Sequence, residues 1–127
     1  MRVLGRSNLL YQETSGAILG AFYAVHSELG SGFLEAVYAN ALSVVLRNAG
    51  LMVERQVPFE IVFHGMPIGR YRADLVVQSA IIVEVKAGRA IIPQHLAQLL
   101  NYLRASRLRL GLLLNFGVKA EFKRVIC

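Results

Sequence analysis

The sequence predicts an α/β domain in which a central mixed β-sheet is flanked by helices, with the element order ααβββαβ(β). Three observations carry this. Up to Ala49 the apolar residues recur at three- and four-residue spacing, the period of an amphipathic helix. Beyond Met52 the composition changes to β-branched and aromatic runs broken by glycine and proline, the pattern of strands and turns. One further helical stretch then follows the third strand, and such a crossover mixes parallel with antiparallel pairing.

The first helix is expected from about Leu9 to Leu29, with Ile18, Phe22, Val25 and Leu29 on its buried face. Gly30-Ser31-Gly32 ends it. A second helix is expected from Phe33 to Ala49, with Val37, Ala41, Val44 and Val45 inward and Gly50 as its C-terminal stop. Strand runs follow at Val53–Val57, Phe59–Phe63, Arg70–Val77 and Ala80–Val85. His64 to Gly69 supplies the glycines and proline of the first reversal. The second reversal, Gln78-Ser79-Ala80, has weaker turn chemistry. Pro93 opens a helix to about Ser106 that buries Leu96, Leu99, Leu100 and Leu103. Leu108–Phe116 reads as an apolar strand and Phe122–Ile126 as a last edge strand.

A chain of 127 residues is expected to form one domain, residues 1–127. With 55% hydrophobic residues and a mean hydropathy of +0.48, disorder is excluded. Polar residues interrupt every apolar run before the roughly 18–20 residues that a bilayer requires, so no membrane partner is expected. Met1 to Tyr11 lacks an apolar core followed by a cleavage site, which predicts a cytoplasmic protein. Cys127 is the only cysteine, so neither an intrachain disulfide nor a thiolate zinc site can form. Of the 14 basic residues 11 are arginine, against 8 acids. The planar arginine fork suits phosphate oxygens. If Glu35, Asp74, Glu84 and Lys86 share a site, the remaining surface is more basic than the net charge of +6, as in a polyanion binder.

The chemistry concentrates around the second reversal. A hairpin centred on Ser79 puts Asp74, the only aspartate, directly across from Glu84, and Glu84 shares a strand face with Lys86. The flanking residues are apolar, so these charges cost several kcal/mol each unless paired or metal-bound. Two opposed carboxylates repel, and a divalent cation relieves them. A plain cross-strand ion pair on a solvated face is the competing account.

Asp74-x9-Glu84-Val85-Lys86 resembles the signature of the PD-(D/E)XK nuclease superfamily. Gly32-Phe33-Leu34-Glu35-Ala36-Val37-Tyr38 is similar to the motif that names the GxxExxY family within it. The segments His26–Gly30 and His95–Leu103 resemble the same family, and the likeness runs from about Gly16 to Phe116. Ala73 stands where the superfamily name has proline, and Ser31 where the family often has it; neither touches the acids.

The resemblance implies a restriction-endonuclease-like core and a Mg²⁺- or Mn²⁺-dependent hydrolase of phosphodiester bonds, expected to act on DNA. Asp74, Glu84 and the Val85 carbonyl would ligate the cation, an oxygen-only set that suits Mg²⁺. Lys86 would position the attacking water or stabilise charge on the phosphate. Glu35 would be an ancillary acid, although with Gly32 as N-cap it sits at N3, where a carboxylate stabilises a helix end by itself. Gln98 and Tyr102 lie four apart on one helix face, with His95 a turn before. Their likeness to the helix motif of RecB-like nucleases gives Gln98 a role in orienting the lysine, and Arg70, Arg72 and Tyr102 are the expected nucleic-acid contacts. His26 and His64 are assigned to structure. The alternatives are a non-cleaving nucleic-acid-binding module of the same fold and a basic partner protein of the toxin-antitoxin kind. A footprint this small makes a homodimer plausible.

Overall fold

The computed structural model describes residues 3–127, with side chains from residue 11 onward; Met1 and Arg2 of the N-terminal stretch lie outside the described residues. Helices α1 (Val3–Leu29) and α2 (Glu35–Asn48) precede strands β1 (Val53–Phe63), β2 (Met66–Val77) and β3 (Ile81–Lys86). Helix α3 (Pro93–Ser106), β4 (Leu110–Phe116) and β5 (Ala120–Ile126) complete the chain. The strands lie in sequence order in one sheet. Every neighbouring pair is antiparallel except β3 and β4, which the α3 crossover makes parallel. Among the described residues no helix is long and apolar enough to cross a membrane.

Two apolar layers sandwich the sheet. On one face Ile18, Phe22 and Val25 of α1 and Tyr38, Leu42 and Leu46 of α2 pack against Leu75, Val83, Val85, Leu112 and Leu114. On the other, Leu99 and Leu103 of α3 pack against Tyr71, Ala73, Ile82 and Leu113. Gly111 sets that second distance. A Cβ there would lie 2.8 Å from Leu99 Cδ1, so only glycine lets α3 come this close to β4.

Several expectations need correction. Helix α1 begins at Val3 rather than Leu9, and α2 starts at Glu35 rather than Phe33. The N-cap of α2 is Leu34, without a side-chain cap, so Glu35 occupies the first helical position and not N3. The inward face of α2 is turned by one residue. Tyr38, Ala39, Leu42 and Leu46 are buried, whereas Val37 and Val44 are exposed. Tyr38 decides this orientation, because its ring stacks on Phe116 at 4.1 Å and its hydroxyl donates to the Gly30 carbonyl. The helix closes as expected at Gly50 (φ +87), with Gly50 N bonding Arg47 O and Leu51 N bonding Leu46 O, a Schellman arrangement.

The first reversal is also tighter than read. Strand β1 is continuous through Pro58, and β2 already begins at Met66. Only His64 (φ 49) and Gly65 (φ 76) remain in the turn, and positive φ at both central positions defines the type I′ hairpin. The second turn follows the expected centre, since Val77 pairs with Ile81 and Leu75 with Val83. Ala80 N donates to Val77 O within the turn, and Met52 ties it down from outside. Gln78 N donates to Met52 O, and Met52 N donates to Gln78 Oε1.

The β1–β2 ribbon turns over part-way along. Val53, Leu75 and Val77 face α1 and α2, whereas Val57, Tyr71 and Ala73 face α3. The change of face falls at Gln56, which has φ 53, and at Asp74 opposite it.

Candidate active site

Asp74 lies at this irregular point, and the irregularity frees it from ordinary ladder bonding. The β2–β3 ladder ends at Leu75 and Val83. One residue beyond, the Val85 N–H donates to Asp74 Oδ2 at 2.8 Å, so the side chain takes the place of a ladder carbonyl. The Asp74 carbonyl accepts from Arg55 Nε at 3.2 Å, and Arg55 also donates to Asn40 Oδ1 of α2. Asp74 is thus held from both sides by named partners.

Glu84 projects from β3 toward the α3 side, on the same face as Ile82. It is 8% exposed, and its Oε1 is fully buried without a hydrogen-bond partner. Burial is the main reason its pKa rises from 4.5 to about 8; the Asp74 carboxylate and an Asp74 hydrogen bond raise it further, and Lys86 opposes them. Lys86 thus offsets only part of the cost of ionising Glu84. Lys86, half-buried at the end of β3, pairs in register with the fully buried Asn115 of β4. Asn115 clamps the loop after Lys86 through two bonds to Gly88, accepting from its N–H and donating to its carbonyl, each at 3.0 Å. Gly117 is needed beside it, because a Cβ there would meet Gly88 O at 2.8 Å.

Helix α3 brings three of the expected residues to this place. Tyr102 stacks on Tyr71 with ring centroids 3.6 Å apart, and Tyr71 stacks in turn on Phe59. The Tyr71 hydroxyl donates to the Tyr102 carbonyl, which fixes the helix to β2. Tyr71 is pushed up to about 12, by burial first and by the Glu84 charge as well. Burial and Glu84 also raise Tyr102, against a hydrogen bond from Gln98. His95 keeps a buried Nδ1 without a partner. Its pKa is lowered by burial and then by Lys86, while Glu35 pulls the other way. Asp74, Glu84, Lys86, Gln98, Tyr102 and His95 thus share one electrostatic neighbourhood, with Glu35 at its margin.

Glu35 itself is exposed. Among the described residues no three His, Cys, Asp or Glu side chains converge as a metal cluster, so Asp74 and Glu84 stand as a pair. Arg70 and Arg72 are exposed on the arm of β2, apart from that pair. Sequence reasoning did not find Tyr71, Arg55 or Asn115. The first could have been suspected from an aromatic next to Arg70 and Arg72, but only the tertiary pairing reveals the other two. His26 Nε2 bonds the Gly117 carbonyl, and His64 is in the β1–β2 turn.

The profile of the PD-(D/E)XK nuclease superfamily matches residues 12–125, nearly the whole chain. The chain belongs to the PD-(D/E)XK nuclease superfamily. Its mixed five-stranded sheet with flanking helices is the restriction-endonuclease-like α/β fold of that superfamily. The crystal structure of the protein designated SSO0001 is similar in fold, with a TM-score of 0.56 at 22% identity. That similarity covers 95% of this chain, which spans 61% of the other. No curated protein matches.

Proposed function

We propose that the chain is a metal-dependent nuclease of the GxxExxY family that hydrolyses phosphodiester bonds of DNA, with Asp74, Glu84 and Lys86 as its working residues. The observation that carries this reading is the orphaned Oε1 of Glu84. A buried carboxylate oxygen without a hydrogen-bond partner, beside a second carboxylate, is chemistry that a divalent cation would satisfy, and this supports the reading. The donor set fits Mg²⁺ or Mn²⁺: Asp74 and Glu84 would hold it with the Val85 carbonyl, and few protein ligands leave room for water and phosphate. When bound, such a cation supplies Lewis-acid activation of water and neutralises charge on the phosphate.

The chain's own residues do the rest. Asp74 is oriented by the Val85 N–H, so one of its oxygens is held and the other is left for ligation. Lys86 places a fixed positive charge next to the pair, where the phosphate would gain charge in the transition state. Asn115 holds the loop that follows it. Gln98, hydrogen-bonded to Tyr102 on α3, would help to position the lysine. Arg70, Arg72 and Tyr102 are the proposed nucleic-acid contacts, with Glu35 as an outlying acid. A cytoplasmic location and a homodimer accord with this function.

The test compares wild type with Lys86→Ala on supercoiled, linear, branched and single-stranded DNA, with Mg²⁺ or Mn²⁺. Wild type is expected to cut at least one substrate. The variant should lose about a hundredfold or more in rate, as for removal of one transition-state contact. Its affinity should hardly change, since one lost phosphate contact alters the salt slope by only about one unit. Absence of metal-dependent cleavage by wild type on every substrate would leave a non-cleaving binding module as the better reading.

A further inference from the structure

A second concave site lies at one end of the sheet, away from the carboxylates. Among the described residues Tyr11, Gln12 and Ser15 of α1 meet Arg109 before β4 and Arg124 of β5 around a pocket of about 210 Å³. Leu110 and Ile126 complete its wall. Ile81 pairs with Leu110 and Glu84 with Leu113, so the pocket lies at the start of the β3–β4 pair, three residues and about 10 Å along the strands from the acidic pair.

The chemistry of this pocket is that of an anion site with an apolar side. Two arginines line it, and among the described residues no acidic residue does. Arg124 donates to Ser15 Oγ, a neutral partner that orients the guanidinium without cancelling its charge. Ser15 is 2% exposed, the one polar residue among the buried residues described in α1. Arg107, two residues before Arg109, adds a basic residue close to it in the chain. Two arginine forks facing one cavity suit the oxygens of a phosphate group. The volume is several times the roughly 30 Å³ that one water occupies, and Tyr11, Leu110 and Ile126 offer an aromatic and aliphatic surface for the rest of the ligand.

We propose that this pocket binds a nucleotide, with Arg109 and Arg124 on its phosphate and Tyr11, Leu110 and Ile126 against its sugar and base. The anion site follows from the pocket alone. The choice of a nucleotide rests on the nucleic-acid reading of the carboxylate site. The ligand is either a free nucleotide or the 5′-phosphorylated end of a strand, and the two share this chemistry.

The experiment titrates the whole protein, in EDTA and at fixed salt, with inorganic phosphate, dAMP, and a short oligonucleotide with and without a 5′-phosphate. Binding is read by calorimetry. Wild type should bind dAMP or the 5′-phosphorylated strand more tightly than inorganic phosphate. Arg109→Gln and Arg124→Gln should each weaken that binding about tenfold or more, the usual loss for a charge-assisted hydrogen bond. Gln12→Glu keeps both arginines and adds a carboxylate to the wall, so it should weaken binding similarly while leaving the fold intact. Arg104→Gln removes the same charge outside the lining and should leave binding within about twofold. Glu84→Gln should bind normally, which separates this site from the carboxylate pair. A gain with dAMP assigns the pocket to free nucleotides; a gain only with the 5′-phosphorylated oligonucleotide assigns it to strand ends. Either supports the proposal. Phosphate binding with no gain for either nucleotide ligand would overturn it, as would equal loss in Arg104→Gln or no binding by wild type.

Discussion

Replacing Glu84 with glutamine should change how the metal-free protein responds to pH. In the fold the Glu84 carboxyl keeps its proton up to about pH 8, whereas its ordinary value is 4.5. Between these limits the folded state holds a proton that the unfolded chain has released. Stability therefore falls as pH rises through the window, by on the order of 5 kcal/mol in all. For a chain of this size that is a drop of about 15 °C in melting temperature. Glu84→Gln cannot ionise, so its curve lacks this descent. The assay is thermal unfolding of both proteins in EDTA from pH 4.5 to 9. His95, with its lowered pKa, contributes an opposite slope to both and cancels in the difference. At pH 8, Mg²⁺ should restore much of the wild-type loss, because it binds the ionised pair of the native state. Parallel curves for the two proteins would refute the reasoning, for then Glu84 is neither desolvated nor confronted by Asp74.

Gly111→Ala should cost about 1–3 kcal/mol by overpacking against Leu99, and cleavage should fall with it because α3 carries Gln98 and Tyr102; denaturant melts and rates check both. Asn115→Ala should destabilise by about 2–4 kcal/mol, since the Gly88 N–H and carbonyl lose their partners, and cleavage per folded molecule should drop. Tyr38→Phe keeps the stack on Phe116 but frees Gly30 O and Phe33 N. It should lose about 1–3 kcal/mol of stability in a urea titration, with activity under saturating Mg²⁺ hardly altered.

Much of the fold was legible because it rests on local periodicity. The bounds of α3 were read correctly because Pro93 fixes its start, although of the four leucines expected on its inner side only Leu99 and Leu103 are buried. The β2–β3 pairing about Ser79, as far as Leu75 and Val83, was legible from chain symmetry. What stayed hidden depends on contacts between distant segments. The rotation of α2 follows from Tyr38 stacking on Phe116, 78 residues away in the chain. The turn at Gln78 is tied down by Met52, and the ribbon reverses its faces at Gln56 and Asp74. No alternation of apolar residues announces such a reversal, because it shifts the period within a strand. The same limit hid Tyr71, Arg55 and Asn115, which serve the site by packing and hydrogen bonds rather than through a motif.

The central claim is that Asp74 and Glu84 jointly hold one divalent cation, and titration with Mn²⁺ monitored by electron paramagnetic resonance tests it most directly. Wild type should bind one Mn²⁺ tightly near pH 8, displaceable by Mg²⁺, and binding should weaken as Glu84 takes up its proton at lower pH. Asp74→Asn and Glu84→Gln should each lose that site and the accompanying rise in melting temperature. Equal Mn²⁺ binding in wild type and both variants would contradict the account and place the metal elsewhere.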